Sequence, residues 1–214
     1  MRTLTLYSAE LRDTAATDEM ILSLPVVSRD KVKSRQNRGE TALGELLRIH
    51  MMRVCGVADG AVARGIHGKP YVPGRCDISF SISHSKGFAT GALLVSSAGE
   101  AGDVGIDVEY IDRGKRERCE RIAERFFTPS EREQIHASPD PVSEFYLTWT
   151  RKEAYLKYTG EGITRPLLSV DTTALDAALM CRVIRGINGG EYALSVSFGS
   201  EFTDIDINDI EKIY

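Results

Sequence analysis

The chain has 214 residues, of which 42% are hydrophobic and 27% are charged, and its formal net charge at pH 7 is -4. This length permits one large domain or two small ones, and the composition is that of a soluble globular protein, which excludes a disordered chain. The negative charge argues against general nucleic-acid binding. No run approaches the roughly 18 apolar residues that span a bilayer. From the charge we therefore expect no nucleic-acid partner, and from the lack of such a run we expect no membrane partner.

The first seven residues alternate like a β-strand, and polar residues follow them. This segment lacks the apolar core of a signal peptide. The cysteines form no Cys-x-x-Cys pair, so neither a zinc knuckle nor a redox dithiol is indicated, and we interpret them as buried or incidental thiols. They are Cys55, Cys76, Cys119 and Cys181. These features predict a cytoplasmic protein in a reducing compartment.

A basic and polar stretch from Asp30 to Arg38 precedes a predicted helix that ends near Gly56. The apolar positions of this helix recur at intervals of three and four. They are Leu43, Leu46, Leu47, Met51 and Val54. The cations before it form either a solvated helix start or a site for an anionic ligand. In both cases the negative charge of Glu40 near the N-terminus interacts favourably with the helix dipole.

Residues 77–83 alternate small polar and large apolar side chains, which predicts a half-buried strand. A turn at residues 85–87 then leads into a second strand through residues 92–95. The end of this hairpin is a place where side chains and amides can contact a ligand. It carries His84, Ser85 and Lys86. A purely structural role for the histidine is the alternative.

A glycine-containing connection at residues 98–103 leads to a predicted strand over residues 104–110, because Ile106 and Val108 alternate with acids. A period of two places Asp107 and Glu109 on the same face. Such a strand is commonly a sheet edge whose acids are solvated, and that interpretation competes with a functional one.

Two helices are predicted next. The first, over residues 113–126, is charged and amphipathic, and its arginines form either a solvated face with Arg–Glu pairs or a contact for an acidic partner. They are Arg113, Arg116, Arg118, Arg121 and Arg125. The segment 128–131 has the pattern of a capping box with proline at the first helical position, which begins a short helix through Ile135.

Residues 149–157 predict a further helix that stops at Gly160. Glu153 and Lys157 lie along one side of it, and Lys152 is next to Glu153. Glu153 lies at the border of the apolar face, where an uncompensated carboxylate is costly. Together with the two strand acids, it suits Mg²⁺, which takes oxygen ligands from proteins and from substrate phosphates. The lysines would hold the remaining phosphate oxygens. A hairpin with its turn at residues 188–190 follows.

Four segments, taken in order, resemble one enzyme family. They are Gly68-Lys69-Pro70, Phe80-Ser81-Ile82-Ser83-His84-Ser85, Gly105-Ile106-Asp107-Val108-Glu109 and Trp149-Thr150-Arg151-Lys152-Glu153-Ala154-Tyr155-Leu156-Lys157. They are similar to motifs of the 4′-phosphopantetheinyl transferases, specifically the larger, monomeric type associated with surfactin synthetase. The resemblance covers about residues 38 to 162.

The resemblance implies an α+β fold of two similar halves related by a pseudo-twofold axis. We expect residues 1–102 to hold coenzyme A, and residues 103–214 to contribute the magnesium-binding acids and the catalytic helix. The implied reaction transfers the phosphopantetheine arm of coenzyme A to a serine of an apo acyl or peptidyl carrier protein and releases adenosine 3′,5′-bisphosphate. A two-half chain can build a complete site by itself, so a monomer is expected.

The resemblance also implies roles for individual residues. Asp107, Glu109 and Glu153 would bind Mg²⁺. Glu153, Asp107 and Lys157 would be catalytic, with Glu153 taking the serine proton directly or through a metal-bound water. Coenzyme A would contact Lys69, Pro70, Ser83, His84, Ser85, Lys86, Lys152, Lys157 and Arg38. Here an arginine of the family falls on Glu40, so Arg38 is the substitute candidate, and Ser81 stands where family members often have asparagine. The region of the arginine-rich helix is where the family's carrier protein docks.

Two other functions fit parts of the pattern. A non-catalytic module that binds coenzyme A or a carrier protein could keep the fold, but a binder would not need all three acids. Another Mg²⁺-dependent phosphate-transfer or hydrolysis enzyme would also use acids and lysines. The chain lacks a phosphate loop of the Gly-x-x-x-x-Gly-Lys kind, which many such enzymes have.

Overall fold

The structure, a computed structural model, describes residues 1–11, 16–33, 36–58, 61–162, 165–200 and 205–212. The helices are α1 (Ala16–Ser23), α2 (Val26–Lys33), α3 (Arg38–Val54), α4 (Arg116–Phe126), α5 (Pro129–Ala137) and α6 (Pro141–Thr159). The strands are β1 (Arg2–Glu10), β2 (Ala63–Arg64), β3 (Pro70–Tyr71), β4 (Ile78–Ser85), β5 (Phe88–Ser96), β6 (Val104–Tyr110), β7 (Ala178–Arg185), β8 (Glu191–Phe198) and β9 (Ile205–Lys212).

The first sheet has four strands in the order β4-β5-β1-β9, and α3 packs against it. Strand β5 is antiparallel to both β4 and β1, whereas β9 runs parallel to β1. The leucines that repeat along α3 face the sheet: Leu43 and Leu47 are fully buried, in one cluster with Phe80 and Leu93. The helical periodicity of this segment therefore predicted most of its buried face: Met51 is also fully buried and Leu46 partly so, but Val54 is exposed.

The second sheet has three antiparallel strands in the order β6-β8-β7, and α6 packs against β6 and β8. Ile106 and Val108 of β6 are fully buried. At Gly105 the helix comes so close that a Cβ atom would overlap the backbone of Ala154 and Tyr158. Glycine is therefore required there to let α6 approach the strand that carries the acids.

The alternative interpretation of β6 as an edge strand with solvated acids is wrong for its first acid. Asp107 is 4% exposed. The edge of β6 that does not pair with β8 lies beside β4, so the two sheets meet at this strand. Ser81 Oγ of β4, for example, accepts a hydrogen bond from the backbone N–H of Ile106 at 3.1 Å.

Several local predictions are confirmed. The β4–β5 hairpin turns at Lys86 and Gly87, which both have positive φ, 49° and 80°. Thr128 and Glu131 form the reciprocal capping box at the start of α5. Gly160, with φ 73°, ends α6 in the left-handed conformation that favours glycine.

The α+β class is confirmed, since each sheet is covered by a long helix. The helices α1 and α2, the two-stranded ribbon β2–β3 and the strand β9 were not predicted. The pseudo-twofold relation and a boundary near residue 102 stay predictions, and β9 lies in the sheet of the first half. Across the ranges that the structure describes, no helix has the length and apolar character needed to cross a bilayer.

Candidate active site

A cavity of about 800 Å³ lies between α3, β4, the loop before β3 and the C-terminal end of α6. Four of the expected coenzyme A contacts line it. They are Lys69, Pro70, His84 and Lys157. A volume of this size accommodates a large ligand. The first half supplies the loop and the hairpin end, and the helix supplies Lys157, so the cavity lies where the two parts meet.

Asp107 is held in place by β4 and α6. One of its oxygens, Oδ1, accepts hydrogen bonds from Ser83 Oγ and from Lys157 Nζ, each at 2.7 Å. The ammonium of Lys157 also donates to the backbone carbonyl of Ile106 at 3.0 Å. The second oxygen, Oδ2, is buried and has no hydrogen-bond partner among the residues described. A buried carboxylate oxygen without a partner is costly, so a cation at this oxygen would stabilise the site.

Glu109, two residues further along β6, is oriented by Ser85. The hydroxyl of Ser85 donates to Glu109 Oε2 at 2.8 Å. Burial and the negative charges of Asp107 and Glu153 raise the pKa of Glu109 to about 7, against the opposing effects of Ser85 and Lys157. The carboxyl therefore titrates near neutral pH in the metal-free protein.

Glu153, on α6, is close enough to Asp107 and Glu109 to interact with them electrostatically. Burial raises its pKa, the charge of Asp107 raises it further, and Lys157 opposes both effects. Asp107 thus acts on both of the other acids. The prediction that repulsion among these carboxylates raises at least one pKa is confirmed. The lowering of those pKa values by bound Mg²⁺ stays a prediction.

Within the described ranges, no group of three or more His, Cys, Asp or Glu side chains is arranged so that it could hold a metal ion. The chemistry of the three acids nevertheless suits a divalent cation. They are oxygen donors, they repel one another, and Asp107 Oδ2 is unpaired.

Lys69 and His84 line the cavity but are engaged with the protein. Lys69 Nζ donates to the carbonyl of Tyr158 at 2.6 Å and lies 2.6 Å from Asp103 Oδ1. Burial lowers the pKa of Lys69, and Asp103 opposes that effect. His84 Nδ1 lies 3.3 Å from Glu40 Oε2, and this hydrogen bond lowers the pKa of Glu40. Glu40 therefore partners the histidine in addition to its place in the first turn of α3.

Lys152 lies elsewhere than expected. Its side chain is 0% exposed, and its Nζ is 2.7 Å from Glu131 Oε2. It also donates to the carbonyls of Leu167 and Val170 and lies over the ring of Phe127. It does not line the cavity, so the structure corrects the expectation that it holds phosphate oxygens. Adjacent residues on a helix point about 100° apart, and this rotation separates Lys152 from Glu153.

Arg38 is also placed away from the cavity lining. It is exposed, and its guanidinium lies 3.3 Å from Asp18 Oδ1. The cations that do line this end of the cavity are Lys31 and Arg48, which both pair with the buried Glu45. The basic stretch before α3 indicated Lys31. Arg48 was missed because it lies three turns into a helix that was interpreted only from its apolar repeat, as a packing element.

The remaining hairpin residues do not face the large cavity. Ser83 is buried under Lys157 and donates to Asp107. Ser85 and Lys86 line a second, smaller cavity of about 270 Å³ beside Glu109, between β6, α4 and α6. Glu109 thus lines the smaller cavity, whereas the larger one is lined by Lys157, the lysine that bonds to Asp107.

Sequence comparisons relate this chain to proteins of known activity. The profile of the 4′-phosphopantetheinyl transferase superfamily matches residues 103–207. A 4′-phosphopantetheinyl transferase of Bacillus subtilis is 30% identical over 167 residues, which are 74% of this chain and 70% of that protein.

Two further relatives match shorter stretches. The transferase HetI of a Nostoc species is 37% identical over 103 residues, 46% of this chain and 40% of its own. The transferase Sfp of Bacillus subtilis strain 168 is 33% identical over 103 residues, 47% of this chain and 42% of its own. The profile match contains Asp107, Glu109 and Glu153, the three acids whose charges act on one another. The chain belongs to the 4′-phosphopantetheinyl transferase family.

Proposed function

We propose that this protein transfers the 4′-phosphopantetheine arm of coenzyme A to a serine of an apo acyl or peptidyl carrier protein and releases adenosine 3′,5′-bisphosphate. One observation carries the proposal. Acids from β6 and from α6 come close enough to perturb one another beside an 800 Å³ cavity with several cations in its lining. Membership in the transferase family supports the same reaction.

Coenzyme A is the proposed occupant of the large cavity. Its phosphate groups need cations, and the lining offers five lysine and arginine side chains. They are Lys31, Arg48, Arg64, Lys69 and Lys157. Lys157 is the one bonded directly to Asp107, so we assign it to the pyrophosphate. There the serine oxygen attacks the phosphorus of the phosphopantetheine arm, the P–O bond to the second phosphate breaks, and adenosine 3′,5′-bisphosphate leaves.

Mg²⁺ would be held by Asp107, Glu109 and Glu153, for which Asp107 offers its unpaired Oδ2. When bound, Mg²⁺ offsets negative charge on the pyrophosphate. Lys157 donates its three N–H groups to Asp107, Ser83 and Ile106, so it would place a fixed positive charge beside the pyrophosphate. Glu153 accepts the proton of the attacking serine hydroxyl. Catalysis then consists mainly of positioning and charge stabilisation.

We further propose that the enzyme acts as a monomer in the cytoplasm. The cavity and all three acids come from one chain, which supports a site that is complete within it. All four cysteines are free thiols, as suits a reducing compartment.

The test is to incubate the protein with coenzyme A, Mg²⁺ and an apo carrier protein, and to read the intact mass of the carrier. We expect the carrier to gain one phosphopantetheine arm, with the label on its serine by fragmentation. Binding of coenzyme A without any mass gain across a panel of carriers would favour the non-catalytic module instead.

A further inference from the structure

Three alternate serines of β4 form side-chain hydrogen bonds to β6. Ser81 Oγ accepts from the N–H of Ile106 at 3.1 Å. Ser83 Oγ donates to Asp107 at 2.7 Å. Ser85 Oγ donates to Glu109 at 2.8 Å. Because strand side chains alternate with a period of two, the same face of β4 makes all three bonds.

These hydroxyls take the place of a neighbouring strand's backbone. β6 pairs with β8 on one edge, and on the other edge the N–H groups of Ile106 and Tyr110 are satisfied by Ser81 and Ser85. Buried N–H groups need such partners. The serines therefore fix the register between the hairpin that lines the large cavity and the strand that carries two of the acids.

Ser85 bonds both to a carboxylate and to a backbone N–H of β6. Its single hydroxyl proton is donated to Glu109 Oε2, and its oxygen accepts the N–H of Tyr110 at 3.1 Å. A serine hydroxyl has one proton to donate, and here a carboxylate takes it. Ser85 also lines the smaller cavity and not the large one. Its contacts explain the orientation of Glu109 and give it no role in holding coenzyme A.

We propose that Ser85 is a positioning residue that fixes the carboxylate of Glu109 for Mg²⁺, and that it does not contact coenzyme A. The inference rests on the proposed function and deepens it. Groups that hydrogen-bond to metal-ligating side chains orient them, and removing such a group weakens metal affinity or activity about 10- to 100-fold. Ser85 binds one carboxylate oxygen and leaves the other for the cation.

The experiment compares Ser85→Ala with the matched control Ser81→Ala. Both remove a hydroxyl that accepts a β6 backbone N–H, but only Ser85 binds a carboxylate. Calorimetric titration of Mg²⁺ into each protein with coenzyme A present, without a carrier, reads metal affinity. For Ser85→Ala we expect it to fall about 10- to 100-fold, with kcat restored at high Mg²⁺ and KM for coenzyme A unchanged at saturating Mg²⁺. For Ser81→Ala we expect lower thermal stability and unchanged metal affinity.

A second pair of variants tests the inference even if Ser85→Ala does not fold. Ser85→Thr and Ser85→Val have nearly the same shape and differ by the hydroxyl, so Thr is expected to keep the metal affinity and Val to lose it. Equal Mg²⁺ affinity in the two, or a raised KM for coenzyme A at saturating Mg²⁺ in Ser85→Ala, overturns the inference while the parent's transfer activity stands. A parent protein that transfers nothing overturns the proposed function and this inference together.

Discussion

Lys157 Nζ lies 2.7 Å from Asp107 Oδ1, although the two residues are 50 positions apart and lie on a helix and a strand. The same ammonium donates to the carbonyl of Ile106 and to Ser83 Oγ, each at 3.0 Å. It is therefore fixed by β4 and β6 while it still lines the large cavity. A ligand phosphate in the cavity would meet a cation whose position is already set.

Replacing this lysine should weaken coenzyme A binding. Lys157→Ala removes a charged donor worth about 2 kcal/mol, so the dissociation constant should rise by roughly tenfold or more. Isothermal titration calorimetry with coenzyme A measures it. Arg182→Ala, which removes one positive charge from the exposed strand β7, is the charge control. Unchanged affinity in Lys157→Ala would remove the lysine from the pyrophosphate site.

Neutralising the central acid should abolish most activity. Asp107→Asn keeps the size and one acceptor oxygen but removes the charge, so transfer to a carrier should fall about 100-fold or more. The chelator EDTA should abolish transfer by the parent, and added Mg²⁺ should restore it. Full transfer by Asp107→Asn or by Asp107→Ala with Mg²⁺ would contradict the site.

The raised pKa of Glu109 predicts a pH dependence of stability in metal-free buffer. The carboxyl has a pKa of about 7 in the folded protein against 4.5 in the unfolded chain, so the folded state binds more protons between these values. The free energy of unfolding should therefore fall, by roughly 3 kcal/mol, as the pH rises from about 4.5 to 7, and stay level above that range. Denaturant titrations across this range measure it.

Glu109→Gln provides the control for that prediction, because an amide does not titrate. Its stability should fall less over the same range, with the remaining fall due to Glu153. Saturating Mg²⁺ should remove the fall in the parent by favouring the ionised carboxylates. Identical pH profiles for the parent and Glu109→Gln would show that this carboxyl does not titrate there.

The buried pair Lys152–Glu131 predicts a loss of stability and no loss of coenzyme A affinity. Lys152→Met leaves Glu131 buried without its cation, which should cost about 3–5 kcal/mol in urea denaturation. The double variant Lys152→Met/Glu131→Gln should recover part of this, since the neutral amide needs no ammonium. A stable Lys152→Met with weakened coenzyme A binding would restore the phosphate-binding role.

The close approach at Gly105 predicts that no side chain is tolerated there. Gly105→Ala would drive a methyl group into the backbone of α6 and should cost about 3 kcal/mol or prevent folding. Gly44→Ala is the control, because its Cβ would meet only side-chain atoms at 3.6 Å and the change favours the helix. Equal stability of the two variants would mean that α6 and β6 are further apart.

The periodicity of the sequence located the elements that carry the site. Alternation over residues 104–110 correctly predicted β6, and the repeat of α3 predicted most of the buried helix face, with Val54 as the exception. The interpretation of Lys152 failed because it was based on the adjacent position of Glu153 in the sequence. It did not consider which face of the helix Lys152 occupies. Thr148 and Leu156, one turn to either side of Lys152, are both buried, and this spacing was a signal that the lysine points inward.

Other features depend on contacts that local patterns do not encode. The helices α1 and α2 have eight residues each, too few to be stable without tertiary packing, so their sequence signal is weak. Arg48 and Lys31 are brought together by Glu45, and this cluster exists only once α2 packs against α3. The parallel pairing of β9 with β1 joins opposite ends of the chain.

That pairing has a consequence for the order of events during synthesis. Residues 205–212 provide the strand that flanks β1, so the first sheet remains one strand short while the ribosome is still translating the second half. The nascent chain would expose the backbone edge of β1 to its surroundings during that interval. Completion of that sheet is therefore a late step, after which β1 is protected from pairing with a strand of another nascent chain.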